Sequence, residues 1–218
     1  MIKLVIFDVD GVILDSESLS IDSCLEISDK YGYGVPRQAL VDTLGGKQEN
    51  DKKVIMSYMP SDFDYDTYEK QFSELKKEKI KQGVKIKKGF FELVNYLKKE
   101  NIKMTFATST IEDVQKPILK KNEVFDLFEN PTYGSDVKEG KPSPEIYLKA
   151  FNKFNFKKEE CLIIEDSTNG ILSAINAGIK VLYCEDQAKV SQEVLKGTYG
   201  QIEDLSKAIP IIEAIKKL

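Results

Sequence analysis

Asp8 and Asp10 stand two residues apart in Phe7-Asp8-Val9-Asp10-Gly11, directly after the apolar run Ile2-Lys3-Leu4-Val5-Ile6. Side chains alternate along an extended strand, so both carboxylates leave the chain on one side, and Gly11 lets the backbone turn away without steric cost. Two acids so placed can hold a hard divalent cation. They also offer a carboxylate nucleophile with an acid-base partner beside it. The same residues would suit a buried strand that ends in a polar turn, so the rest of the chain has to discriminate.

Three further segments carry the groups that such a pair would need. Met104-Thr105-Phe106-Ala107 runs into Thr108, Ser109 and Thr110, hydroxyls able to bind phosphate oxygens or to cap the next helix. Lys141 lies in Gly140-Lys141-Pro142-Ser143-Pro144-Glu145, just before a Ser N-cap and a Pro at the first helical position. Cys161-Leu162-Ile163-Ile164 ends in Glu165 and Asp166, and a helix closed at Gly178 follows.

The elements that position these groups alternate. Strands are predicted near 2–8, 102–108, 161–166 and 179–184, and helices near 89–100, 111–121, 144–154 and 168–177. This alternation predicts an α/β fold, a Rossmann-like three-layer parallel sheet core whose ligand sites lie at the carboxyl ends of the strands. Phe90, Leu93, Val94 and Leu97 recur with helical spacing and read as core. Between the first strand and Gly89 the pattern is helical only, with segments near 17–31, 37–44 and 49–58. Tyr65, Tyr68, Phe72 and Leu75 form an apolar stripe on a further long helix. Pro117 is a misfit that should kink or delay the helix after Thr110.

Composition removes competing chemistries. The 218 residues contain no histidine, which excludes Ser-His-Asp and Cys-His hydrolases, His-ligated zinc and histidine phosphatases. Arg37 is the only arginine and no cysteine lies six residues before it, so a cysteine phosphatase loop is excluded as well. Cys24, Cys161 and Cys184 read as buried thiols of a reducing compartment. No secretory leader is recognisable and no apolar run approaches transmembrane length, so a cytoplasmic protein without membrane contact is expected. A formal charge of -4, with lysines and acids interspersed, argues against a nucleic-acid partner. Gly134 to Lys141 mimics a nucleotide loop, but five residues separate its glycines and Pro142 stands where a Ser or Thr should bind magnesium.

Taken in order, the four segments resemble the signature motifs of the haloacid dehalogenase superfamily: Asp8 and Asp10 the first, Thr108 the second, Lys141 the third, Glu165-Asp166 the fourth. The strings Gly-Lys-Pro-Ser-Pro-Glu-Ile-Tyr (140–147) and Glu-Asp-Ser-Thr-Asn-Gly-Ile (165–171) look like the branch of β-phosphoglucomutases and phosphoglycolate-type phosphatases. The resemblance implies a core domain of residues 1–15 plus 84–218 and an inserted helical cap domain of residues 16–83. It implies a magnesium-dependent phosphomonoester hydrolase acting on a small, sugar phosphate-like metabolite. Asp8 would be the nucleophile and Asp10 the acid-base. Asp8, the Asp10 carbonyl and Asp166 would ligate Mg2+, with Glu165 orienting its waters or ligating directly. Lys141, Thr108 and Ser109 would bind the phosphoryl oxygens. Asp10 points to phosphate esters, because the dehalogenases and phosphonatases that share the scaffold lack an acid there.

A sugar phosphomutase of this branch is the alternative. Such mutases use a cap histidine to restrain the acid-base residue and a cap arginine to grip a distal phosphate; here those positions hold Ser20 and Glu49. Gly46 and Lys47 are the candidate specificity residues, and Lys47, Lys52 or Lys53 could still meet a distal anion. A non-catalytic phosphometabolite-binding module would require a lost nucleophile or metal ligand, and none is lost. A monomer is expected.

Overall fold

The computed structural model describes residues 1–44 and 50–216. Five parallel strands form one sheet in the order β2-β1-β3-β4-β5, with β1 at Leu4–Phe7, β2 at Lys103–Phe106, β3 at Cys161–Glu165, β4 at Lys180–Cys184 and β5 at Gly200–Ile202. β1, β3 and β4 are largely buried on both faces, as a covered parallel sheet requires. Alternate residues serve different cores. Val5, Phe7, Leu162, Ile164 and Leu182 belong to one cluster. Leu4, Ile6, Cys161, Ile163 and Val181 belong to the other.

Helices cover both faces. The first cluster receives Phe90, Leu93, Val94 and Leu97 of α5 (Phe90–Lys99), Leu119 of α6 (Glu112–Lys121), and Ile212 and Ile215 of α10 (Ala208–Lys216). The second receives Ile146, Tyr147 and Ala150 of α7 (Glu145–Phe151), Ile171 and Ala174 of α8 (Thr168–Ala177), and Leu195 of α9 (Gln192–Leu195). Burial of such apolar faces is the main stabilising contribution, about 25 cal/mol per Å².

The four helices between β1 and Gly89 are α1 (Ser16–Tyr31), α2 (Arg37–Val41), α3 (Asp51–Tyr58) and α4 (Tyr65–Gln82). They surround a third cluster of their own, in which Tyr68 is fully buried among Ile21, Cys24, Leu40 and Ile55. Tyr33, Phe63 and Tyr68 meet there at centroid distances of 5.5–5.6 Å. The aromatic stripe of α4 is therefore core.

Several elements depart from the sequence pattern. Strand β5 and helices α9 and α10 lie beyond the last predicted strand; β5 has three residues, too few for periodicity to register. α7 begins at Glu145 and ends at Phe151, shorter than the predicted 144–154. Pro117 does not interrupt α6, which begins at Glu112 and continues to Lys121. Pro117 and Asp113, four residues earlier, both lie on the exposed face, where water can take the hydrogen bond that proline cannot donate. All three cysteines are free and buried, and burial pushes the Cys161 and Cys184 thiols up to about 12. Among the described residues no helix is long and apolar enough to cross a membrane.

Candidate active site

Register brings the motifs to one line. Phe7 pairs with Phe106 on one side and Ile164 on the other, so β1, β2 and β3 end level. Asp8 follows Phe7, Thr108 lies two residues beyond Phe106, and Glu165 and Asp166 follow Ile164. Asp8, Thr108, Glu165 and Asp166 are all buried there. The Asp8 N–H donates to the Ile164 carbonyl at 3.0 Å, which ties the first motif to the fourth.

Lys141 reaches this line from the loop before α7. The Glu145 carboxylate accepts the backbone N–H of Lys138 at 3.0 Å and of Glu139 at 2.9 Å, and so braces that loop. The Lys141 ammonium donates to Asp8 Oδ1 and, at 2.6 Å, to Glu165 Oε1, with only 7% of its side chain exposed. It also lies 4.9 Å above the Tyr147 ring. Burial alone would lower the Lys141 pKa, but the Asp8 and Glu165 carboxylates hold it well above the usual lysine value. Burial pushes the Asp8 carboxyl up to about 7, Lys141 opposing and Glu165 reinforcing the rise.

Glu165 is bonded through both of its oxygens. Its Oε1 accepts from Lys141 and from Tyr147 Oη at 2.9 Å; its Oε2 accepts from the N–H groups of Asp166 and Ser167 and from Ser167 Oγ, at 2.8, 2.9 and 3.1 Å. Protein donors thus reach both oxygens, and Glu165 anchors Lys141. Burial would raise its pKa, yet Lys141 and these hydrogen bonds hold it below the usual carboxylate value. Gly170, in the first turn of α8, makes room for it, since a Cβ there would stand 1.6 Å from Glu165 Oε1. Gly170→Ala should therefore displace Glu165 and loosen Lys141, costing about 1–3 kcal/mol as overpacking does. Thermal unfolding and turnover would both register this; an unchanged melting temperature and rate would refute the assigned packing.

Asp10 is held by two hydroxyls. Ser16 Oγ donates to its Oδ1 at 2.9 Å and Thr110 Oγ1 to its Oδ2 at 3.2 Å. The sequence reading missed both side-chain roles, because only the fold brings the start of α1 and the turn after β2 to the same carboxylate. Thr108 Oγ1 accepts the Thr110 N–H at 3.1 Å and shapes that turn, while Ser109 is exposed at its tip. Ser20 does not address Asp10; its hydroxyl donates to the Ser16 carbonyl at 2.9 Å.

A cleft of about 720 Å³ is lined by Asp10, Ser16, Glu17 and Thr110 together with Lys52 and Lys76. Lys52 pairs with Asp66 at 2.6 Å, and Lys76 lies 5.6 Å above the Phe72 ring. Gln115 of α6 also lines the cleft, buried and with its Nε2 amide unpaired. The candidate specificity residues Gly46 and Lys47, and Glu49, lie outside the described residues.

The acids fit a divalent cation. Asp166 is buried, and its carboxylate stands over Gly11, where a Cβ would come within 2.1 Å of Oδ2. Gly11 has φ +81°, so it supplies both the turn and the space. Burial, with Glu165 and Asp8 nearby, holds the Asp166 carboxyl well above its usual value. Glu17 and Asp186, which the sequence reading did not single out, approach Asp166, and carboxylate oxygens of all three lie within 4.8 Å of one another. Oxygen ligands and uncompensated negative charge are what a hard cation requires.

An α/β sheet with a carboxylate nucleophile candidate, a buried lysine and an acid cradle at its carboxyl edge defines a phosphoryl-handling hydrolase class. Residues 5–184 match the haloacid dehalogenase-like hydrolases, and the chain belongs to that family as a phosphatase-type hydrolase. A phosphorylated carbohydrates phosphatase of Thermotoga maritima is 29% identical over 181 residues, 83% of this chain and 84% of that protein. Pyrophosphatase PpaX of Halalkalibacterium halodurans is 27% identical over 183 residues, 82% and 81% of the two chains. The solved structure of a β-phosphoglucomutase from Clostridium difficile shares the fold with a TM-score of 0.71 at 20% identity, over 100% of this chain and 98% of that one.

Proposed function

We propose that this protein is a magnesium-dependent phosphomonoesterase for a small, sugar phosphate-like metabolite, working through phosphoryl transfer to Asp8. The observation that carries the reading is the buried Asp8 carboxylate under Lys141, with Asp10 lining the cleft. The relative that acts on phosphorylated carbohydrates supports the substrate class. Residues 16–83 would form the cap over a core of residues 1–15 and 84–218.

Asp8 attacks phosphorus and becomes the aspartyl phosphate; the ester oxygen leaves with a proton from Asp10. Asp10 then takes a proton from the incoming water, and attack on the acyl phosphate regenerates Asp8. Lys141 balances the charge on Asp8 and the phosphoryl oxygens, while Thr108, Ser109 and the adjacent backbone N–H groups hold those oxygens. Asp8, the Asp10 carbonyl and Asp166 would hold magnesium, which would supply further charge neutralisation.

Hydrolysis is favoured over mutase action by the surroundings of Asp10. The hydroxyls of Ser16 and Thr110 hold its carboxylate, whereas Ser20, at the position of the mutase histidine, is turned to a backbone carbonyl. Asp10 is therefore oriented by hydroxyls without a basic restraint and can serve the water step. Asp10→Ala should slow phosphate release by about a hundredfold or more, the scale of a positioned acid-base. The test of the whole reading is a phosphometabolite panel with Mg2+, scored for inorganic phosphate. Incubation with β-glucose 1-phosphate and a trace of bisphosphate gives the decisive comparison: glucose 6-phosphate formed faster than free phosphate would replace the hydrolase by the mutase.

A further inference from the structure

Asp186 follows β4 in the loop at the carboxyl edge of the sheet, and its side chain is only 2% exposed. One oxygen, Oδ1, accepts from Lys87 Nζ at 2.6 Å. The other, Oδ2, is buried and has no hydrogen-bond partner, and the same holds for Glu17 Oε2 in the first turn of α1. These two carboxylates and Asp166 come from three separate segments, yet their oxygens converge within 4.8 Å. The convergence is directed at Gly11: a Cβ there would lie 2.1 Å from Asp166 Oδ2 and 3.1 Å from Asp186 Oδ2. Lys87 is itself fixed, its N–H donating to the Ile13 carbonyl at 2.9 Å in the loop that carries Gly11.

Three ionised carboxylates facing one another with one ammonium among them repel, and a shared proton or a cation relieves that repulsion. Lys87 cannot fill that place, because it engages the Asp186 oxygen that is already partnered. A hard divalent cation can, since it gathers several carboxylate oxygens at once. We propose that Asp186 and Glu17 complete, together with Asp166, the carboxylate seat of the divalent cation, with Lys87 fixing the orientation of Asp186. The ligand set implied by the family resemblance contains neither residue. The inference rests on the metal dependence proposed above and extends it. In this arrangement the first helix of the helical unit, through Glu17, and the loop after β4, through Asp186, are both drawn onto Asp166. The metal then joins the cleft wall to the sheet edge.

The test is calorimetric titration of Mg2+ into the full chain after removal of metal by EDTA, together with the rise in melting temperature that Mg2+ causes. Asp186→Asn keeps an acceptor for Lys87 and nearly the same shape. It should raise the Mg2+ dissociation constant by about tenfold or more, the scale of losing a residue that supports a metal site. Glu17→Gln should weaken binding in the same direction, and decides the matter should Asp186→Asn not fold. Glu185→Gln, which removes an exposed charge next to Asp186, should change the constant by less than about twofold, because a solvated charge is screened. Unchanged Mg2+ affinity in Asp186→Asn or in Glu17→Gln overturns the proposal, as does an equal loss in Glu185→Gln, which would signify a general field in place of a seat. Wild-type protein that binds no Mg2+ would overturn the metal-dependent reading itself; wild-type binding with unaltered variants overturns only this inference.

Discussion

Asp8→Asn is expected to reduce phosphate release by on the order of 10⁴-fold or more, since removing the nucleophile of a covalent mechanism leaves only binding and electrostatic assistance. A carboxamide cannot carry the phosphoryl group. The fold should survive, because the amide oxygen can still accept from Lys141 and the substitution removes one negative charge from a site rich in acids. Melting temperature should shift by only a few degrees, about the effect of 1 kcal/mol in a chain of this size. Retention of more than a trace of activity, with contaminating phosphatase excluded by a second purification, would rule out the aspartyl-phosphate route. Rapid quenching offers a direct check: acid-stable, hydroxylamine-sensitive phosphate on the wild-type chain, and none on the variant.

The second large effect is on stability. Lys141→Met should cost about 3–5 kcal/mol, because it leaves the buried carboxylates of Asp8 and Glu165 without the ammonium that both share. At about 2–4 °C per kcal/mol, the melting temperature should fall by roughly 6–20 °C. Activity should fall as well, since charge on the phosphoryl oxygens loses its partner. Unpaired charge as the cause can be separated from lost packing. Lys141→Met combined with Glu165→Gln should recover part of the loss, whereas lost contacts to Tyr147 would not be restored. A single variant melting within about 2 °C of wild type would mean that Lys141 does not hold the site together.

These effects share an origin in the level ends of β1, β2 and β3. The register brings Asp8, the turn at Thr108 and Asp166, the proposed nucleophile, phosphate-binding turn and metal-binding acid, to adjacent strand ends, and the loop braced by Glu145 adds Lys141. The helical unit contributes differently. Ser16 and Glu17, at the start of α1, are its contribution to the acids of the sheet edge, so helix placement and site chemistry are coupled at the first turn. Side chains of the remaining helices line the cleft, Lys76 among them, and the unpaired amide of Gln115 lines it from α6 on the sheet side.

The amino-acid sequence alone determined where the sheet strands β1 to β4 run and what chemistry their ends can do. Each is built around a short apolar run, and burial on both faces is a local property that composition reports directly. With no histidine in the chain, Asp8 and Asp10 stand as the nucleophile and acid-base candidates. β5 and the final helix were not visible, because a three-residue strand and a helix with Pro210 near its start carry little periodicity. The partners of the polar atoms were decided by tertiary structure. Lys141 meets Asp8 across 133 residues, Thr110 meets Asp10 across 100, and Asp186 meets Lys87 across 99. The fold presents Glu165 with five donors, and β4 carries Asp186, which no local signal singled out, to Asp166. A carboxylate's role depends on which charges and donors surround it after burial. Those neighbours are set by strand register and helix placement, which no local pattern encodes.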